Sequence, residues 1–202
     1  MAARPSSTVA PPAALPREPG WRDRLRARRA RRHGVRVDGP ATLGRGLRFD
    51  VAPGASVVLG PGVVLGDGCR FHVAAGEVRI GAGTVLGERC VVTARARVTV
   101  GAGCLLADEV VLADADRRFD DVERPVREQG LAVAPVIVGD GVRIGPGAAL
   151  LRGVTVGARA VVGAHAVVTR DVPAGATVDG VPAATLSPRR PARPARGGAA
   201  RR

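Results

Sequence analysis

The stretch PVIVGDGVRIGPGAALLRGVTVGARAVVGAHAVVTRDVPAGATVDGVPA, residues 135–183, repeats a pattern of six residues. From Val138 onward the first position of each hexapeptide is aliphatic, apart from the closing Ala174, and the second is usually glycine. The fifth position is always a small or β-branched apolar residue, such as Val142 or Ala148. Two apolar positions in every six, separated by small and polar residues, are the feature that decides the fold.

The same rule runs through an earlier array, residues 59–111, with small insertions at two corners. An α-helix repeats its apolar face about every 3.6 residues and a half-buried strand alternates residue by residue, so neither explains this period. A short strand followed by a sharp corner does explain it, because glycine permits corner conformations that a Cβ penalises. Three such units close one triangular coil, and stacked coils pair their strands in parallel. The sequence therefore predicts an all-β, parallel β-helix over residues 35–186, stabilised by contacts between neighbouring coils.

The composition agrees with a narrow interior. The chain of 202 residues has no tyrosine, one tryptophan and three phenylalanines, so valine, alanine, leucine and isoleucine must fill the core. Cys69, Cys90 and Cys104 all fall at fifth positions, which predicts small buried side chains and not metal ligands or nucleophiles. Free thiols, together with the absence of an apolar signal segment or membrane span, lead us to expect a cytoplasmic protein.

The formal charge of +13 lies at the two ends of the chain. Residues 1–34 contain nine arginines and two acidic residues, and residues 187–202 contain six arginines and no acidic residue. The part between them is neutral, whereas nucleic-acid binders usually carry a basic stripe on the folded surface, so we do not expect nucleic acid as a partner. We expect residues 1–34 to be a basic segment, disordered at its start, and residues 187–202 to be a disordered tail.

Residues 21–33 predict a short basic helix that ends at Gly34. Trp21 and Leu25 lie one turn apart on it. One interpretation is a weak contact with an anionic membrane surface through the arginines. The favoured interpretation is a helix that caps the first coil.

The end of the repeat, VVTRDVPAGATVDGVPA, together with the coils before it, resembles the C-terminal coils of bacterial hexapeptide-repeat transferases, which include maltose and galactoside O-acetyltransferases. The resemblance covers residues 35–186. It implies a left-handed helix, a homotrimer, and acetyl-CoA bound in grooves between subunits as donor for a hydroxyl of a sugar or similar acceptor. The implied CoA-binding residues are Gly145, Gly147, Gly163, Ala164, Thr169 and Arg170, of which Arg170 matches the basic residue that faces CoA in relatives.

Residues 114–135 interrupt the repeat. The hexapeptide frame places Asp116 at a fifth position, where an inward carboxylate would be costly. We therefore expect the chain to leave the coil around Asp114 and to return at Val138. A long loop inside a compact domain is usually functional or disordered.

In the family a similar loop carries the catalytic histidine, in a motif like D-x-D-H-x-F-D-D. This sequence reads DADRRFDD from Asp114 to Asp121, with Arg117 at the histidine position. The family's histidine takes the proton of the acceptor hydroxyl, whereas arginine stays protonated and accepts none. Asp114, Asp116 and Arg117 are the candidate catalytic positions, and a carboxylate of ordinary pKa, about 3.9, is a poor base for a sugar hydroxyl.

Two functions remain open at this point. The first is a CoA-dependent O-acetyltransferase. The second is a catalytically impaired relative that binds CoA or a saccharide, or that serves as a trimeric scaffold. Arg117 favours the second, as do Arg143, where relatives commonly have tryptophan, and Ala184, where they often have arginine.

A γ-type carbonic anhydrase would use the same kind of helix with three histidines binding zinc. The three histidines of this chain, His33, His72 and His165, lack the spacing for such a site. His72 and His165 face outward on the coils, which predicts solvated side chains, and His33 lies in the basic segment. We therefore predict no metal site.

Overall fold

Strands of two to four residues, with a final strand of five, alternate with tight corners from Val35 onward, as the hexapeptide spacing predicts. The computed structural model describes residues 20–188, and three such strands make one coil. Six coils stack into a left-handed parallel β-helix, which confirms the predicted fold class. The predictions for residues 1–19 and 189–202 concern segments outside the described range.

The strands follow the coils in chain order. Coils one to three contain β1 (Val35–Val37), β2 (Thr42–Leu43), β3 (Arg48–Val51); β4 (Ser56–Leu59), β5 (Val64–Leu65), β6 (Arg70–Val73); and β7 (Glu77–Ile80), β8 (Val85–Leu86), β9 (Val91–Ala94). Coil four contains β10 (Arg97–Val100), β11 (Leu105–Leu106), β12 (Val111–Ala113), and the excursion that follows contains β13 (Ala115–Arg117), β14 (Leu131–Val133). Coils five and six contain β15 (Val136–Val138), β16 (Arg143–Ile144), β17 (Ala149–Leu150); and β18 (Thr155–Val156), β19 (Val161–Val162), β20 (Val167–Val168). The described chain closes with β21 (Ala176–Asp179) and β22 (Ala184–Pro188).

Each coil contributes one strand to each of three parallel sheets. The first strands of the six coils form face A, the second strands form face B and the third strands form face C. Face A continues across the excursion, since β10 pairs with β15 with Val98 opposite Val136. On face B, β22 pairs with β21 antiparallel and runs to Pro188, two residues past the predicted end of the domain at 186.

The core is a stack of aliphatic side chains from the first and fifth positions. Its largest fully buried side chain is Phe71, whose ring stacks on that of Phe49 one coil earlier, with centroids 5.1 Å apart. The three cysteines are buried as small core residues, as predicted. A hydrogen bond with Cys69, together with burial, raises the pKa of the Cys90 thiol, and burial raises the pKa of the Cys104 thiol. These two groups therefore remain thiols and do not act as nucleophiles.

The α-helix α1 (Trp21–Arg31) covers the start of the coil stack and contacts β1 and β2. Its inner face consists of Asp23, Ala27 and Ala30, which lie three or four residues apart. Trp21 and Leu25 point away from the stack, with 70% and 60% of their surface exposed. No helix within residues 20–188 is long and apolar enough to span a membrane.

Candidate active site

The excursion is a hairpin rooted at the corner between faces C and A. Strands β13 and β14 pair antiparallel, with Ala115 opposite Val133. At the base, the Ala134 N–H donates to the Asp114 carbonyl at 2.9 Å, and the Ala134 carbonyl accepts the Gly153 N–H at 3.0 Å. The base of the loop is therefore held by the same ladder of hydrogen bonds that joins the coils.

Asp114 lies fully buried where the hairpin leaves the coil. One carboxylate oxygen accepts the Arg95 N–H at 2.8 Å, and the other accepts the Ala96 and Arg97 N–H groups, each at 2.7 Å. These three donors belong to the same corner one coil earlier. Because no part of Asp114 is exposed, its carboxylate holds the corner and does not reach an acceptor in this conformation.

The other two candidate positions, Asp116 and Arg117, lie on β13 and are exposed. An Asp116 carboxylate oxygen accepts the backbone N–H of Arg117 at 2.7 Å. The Arg117 guanidinium donates a long hydrogen bond, 3.5 Å, to the Arg127 carbonyl across the hairpin. Within residues 20–188 it makes no ion pair, so it remains available to an anionic or carbonyl oxygen.

The tip of the hairpin is organised by one glutamine. The Gln129 side-chain amide donates to the carbonyls of Asp121 and Arg124, both at 2.7 Å, and its oxygen accepts the Asp121 N–H at 3.0 Å. A short 3-10 helix, Val126–Glu128, precedes it. Phe119 lies exposed on this hairpin. The described hairpin is thus an internally bonded structure that presents an aromatic ring and Arg117 to its surroundings.

Three exposed arginines lie at the same corner between faces C and A, one in each of coils three, five and six: Arg95, Arg152 and Arg170. We call this set the arginine column. Arg152 and Arg170 occupy equivalent third positions three hexapeptides apart, which is one full coil. The described residues include no carboxylate that forms an ion pair with any of the three guanidinium groups.

The resemblance to the family predicted Arg170 but not Arg95 or Arg152. The repeat frame alone could have found Arg152, since it places this residue one coil before Arg170. Arg95 could not be found so easily, because an insertion in coil three breaks the count of six.

The six predicted CoA-binding residues divide between two corners. Gly145, Gly147, Gly163 and Ala164 lie between faces B and C, whereas Thr169 and Arg170 follow β20 at the corner between faces C and A. The glycines also have a packing role: a Cβ on Gly145 would lie 2.6 Å from the Ala164 nitrogen. A single chain therefore does not bring all six residues into one groove.

The histidines differ in their surroundings. His72 Nδ1 lies 2.6 Å from an Asp50 carboxylate oxygen on the outside of face C. The strand register continues from His72 to Thr93 and then to Ala113, the last residue of β12 before the hairpin. His165 is exposed at the corner between faces B and C with φ +56°, and His33 follows α1.

A stack of hexapeptide coils interrupted by one rooted hairpin defines a hexapeptide-repeat β-helix protein. A family model described as bacterial transferase hexapeptide (six repeats) matches residues 135–170. Nodulation protein L of Rhizobium meliloti is 45% identical over 127 residues, which cover 62% of this chain and 67% of that protein. A probable acetyltransferase of Mycobacterium tuberculosis is 33% identical over 170 residues; the match covers 84% of this chain and 56% of that protein's length.

A solved structure supports the same family assignment. A hexapeptide-repeat acetyltransferase of Vibrio cholerae, solved in complex with acetyl-CoA, is 32% identical and superposes with a TM-score of 0.54. The match covers 63% of this chain and 70% of that one. The chain therefore belongs to the bacterial hexapeptide-repeat transferase family.

Proposed function

We propose that this protein is a CoA-dependent acyltransferase that transfers an acetyl or similar acyl group to a hydroxyl of a sugar or related acceptor. The arginine column beside the hairpin is the observation that carries the proposal. Guanidinium groups bind phosphate oxygens through paired N–H donors, and CoA carries several phosphate groups. The acetyltransferase relatives and the acetyl-CoA complex of the Vibrio cholerae protein support the same donor.

The proposed active unit is a homotrimer with CoA between neighbouring subunits. The division of the predicted cofactor residues between two corners supports it, because a groove formed by two copies could combine one corner from each. In this arrangement Thr169 and Arg170 come from one subunit, and Gly145 and Gly163 from its neighbour. Most soluble homo-oligomers have closed point-group symmetry, and a cyclic trimer is one such form.

The reaction forms an ester and releases CoA. The acceptor oxygen attacks the thioester carbonyl carbon, the C–S bond breaks, and the acceptor proton must pass to a base and finally to the CoA sulfur. Arg117 cannot accept that proton because its guanidinium stays protonated. It can donate hydrogen bonds to the carbonyl oxygen as negative charge develops there.

We propose His72 as the base. Asp50 holds its Nδ1 at 2.6 Å, which fixes the ring and leaves Nε2 for an acceptor hydroxyl. His72 lies on the strand column that leads to the hairpin, two strand spacings from Ala113, or about 10 Å. The hairpin of the same or a neighbouring subunit would bring the acceptor to it.

The second candidate is a CoA-binding or scaffold protein without turnover. Arg117 favours it, since no histidine occupies the family's position on the hairpin. Arg143, exposed on face B, and Ala184, the first residue of β22, are further departures from the family pattern.

The test is an assay of thiol release from acetyl-CoA with a panel of sugar acceptors. We expect turnover by the wild type, a decrease in kcat of about 100-fold in His72→Gln, and little change in the control His33→Gln, an exposed histidine after α1 that is far from the predicted CoA residues. Arg117→Ala should weaken kcat without abolishing it. Equal turnover by His72→Gln and wild type would eliminate His72 as the base. Acetyl-CoA binding without turnover for any acceptor would favour the second candidate.

A further inference from the structure

A basic pocket lies between α1 and the open start of the coil stack, far along the chain from the predicted CoA residues. Its volume is about 580 Å³. Leu47 and Phe49 form its floor; they occupy inward positions of coil one and are half-buried, since no earlier coil lies on them. The pocket therefore offers an apolar base at the end of the core.

The rim of this pocket is cationic. It is formed by four arginines and a histidine, and none of the lining residues is acidic: Arg26, Arg29, Arg45, Arg48 and His33. Arg26 bonds to the Leu43 carbonyl and lies 3.6 Å from Asp23, so part of its charge is compensated. Within the described part of the chain, no carboxylate pairs with the guanidinium of Arg29, Arg45 or Arg48.

The segments outside residues 20–188 carry no net negative charge that would balance the arginines of the rim. Residues 1–19 contain two arginines and one glutamate, and residues 189–202 contain six arginines and no acidic residue. Both segments are net positive, so the sequence outside residues 20–188 adds no net negative charge. Several guanidinium groups around one cavity repel each other unless an anion lies between them.

We infer that this pocket binds a phosphate-bearing ligand with an apolar or planar portion. Arginine is the side chain best suited to phosphate because its planar fork donates two parallel hydrogen bonds. The apolar portion would cover Leu47 and Phe49, which are only partly buried against the core. No predicted CoA-binding residue lines the pocket, so the site is separate from the proposed active site.

Two sources present this chemistry: a soluble phosphate ester or diphosphate, and the headgroup of an anionic lipid. The outer face of α1 is relevant to the second source. Trp21 and Leu25 are exposed there beside Arg28 and Arg32, a combination found in helices that lie at anionic membrane surfaces. The two sources share the phosphate contacts and differ in whether α1 also contacts a bilayer.

The test uses the full chain and inorganic pyrophosphate in a calorimetric titration. The variant is Arg29→Gln with Arg48→Gln, since neither side chain forms an ion pair within residues 20–188. The matched control is Arg24→Gln with Arg70→Gln, which removes the same charge from the same helix and from the next strand of face C, outside this pocket. We expect the first pair to weaken binding at least about tenfold and the control pair to change it by less than about twofold.

The second arm measures binding to phosphatidylcholine vesicles with and without phosphatidic acid, by flotation and by the emission of Trp21, the one tryptophan of the sequence. Binding to acidic vesicles that is lost in Arg29→Gln with Arg48→Gln supports the pocket with a lipid as the source. Pyrophosphate binding without vesicle binding supports it with a soluble source. The inference is overturned if neither probe binds, or if both double variants lose binding equally.

Discussion

Carboxylates at the coil corners bind backbone N–H groups of the preceding coil. Asp67, Asp108 and Asp140 each accept one such N–H, from Arg45, Glu88 and Ala102 respectively, at 2.7–2.8 Å. Asp114 binds the preceding coil in the same way, but it is buried and accepts three backbone N–H groups. We therefore propose that Asp114 is a positioning residue, which fixes the base of the hairpin.

Replacing Asp114 by alanine should destabilise the protein. Three buried N–H groups would lose their acceptor, and we expect a loss of about 3 kcal/mol in the free energy of unfolding, measured by urea denaturation. The matched control is Asp171→Ala, because this exposed corner carboxylate accepts one N–H, from Thr155 at 2.7 Å. A loss for Asp114→Ala no larger than that for Asp171→Ala would show that Asp114 does not hold the corner.

The burial of individual side chains could be predicted from the sequence in several cases. The hexapeptide frame assigned Cys69, Cys90 and Cys104 to the interior, because a repeat defines which positions point inward. The partners of Asp114 could not be predicted, since they lie 17–19 residues earlier and depend on how the corners stack. The Asp50–His72 contact also joins neighbouring coils and has no local pattern.

Helix α1 illustrates the same limit for a whole element. Its position was predicted from the basic run and from Gly34, and capping of the first coil was the favoured interpretation. Its orientation was not evident, because the large apolar residues Trp21 and Leu25 point outward. The buried face is built from two alanines and Asp23, whose carboxylate accepts the Gly20 and Leu43 N–H groups at 2.9 and 3.2 Å.

Asp23→Ala should weaken the attachment of α1 to the first coil. The buried carboxylate joins the start of α1 to β2, so its loss leaves the Leu43 N–H without its acceptor. We expect faster hydrogen exchange at the amides of α1 and coil one, and unchanged exchange in coils five and six, because stability in such stacks depends on neighbouring units. Asp38→Ala, which removes an exposed ion pair with Arg36, is the matched control. Equal protection in both variants would contradict the proposed role of Asp23.

For the whole molecule, the period of six predicted the stacked coils. Each hexapeptide forms one short strand and one corner, and three of them close a coil. The excursion was predicted from the point at which the repeat fails, near Asp116. The handedness came from the resemblance to the family, and the homotrimer remains a prediction. One chain could not reveal a shared groove, since Gly145 and Arg170 lie at different corners of the same coil stack.

The most direct measurement is a calorimetric titration of the full chain with acetyl-CoA, which needs no acceptor. We predict saturable binding with one site per chain, and a loss of at least about tenfold in affinity for Arg152→Gln with Arg170→Gln, because phosphate contacts are charge-assisted hydrogen bonds. Arg70 is an exposed arginine of face C away from the arginine column, and the variant Arg70→Gln should bind acetyl-CoA as the wild type does. Absence of binding, or equal binding by the double variant, would contradict the account of this corner as the CoA site.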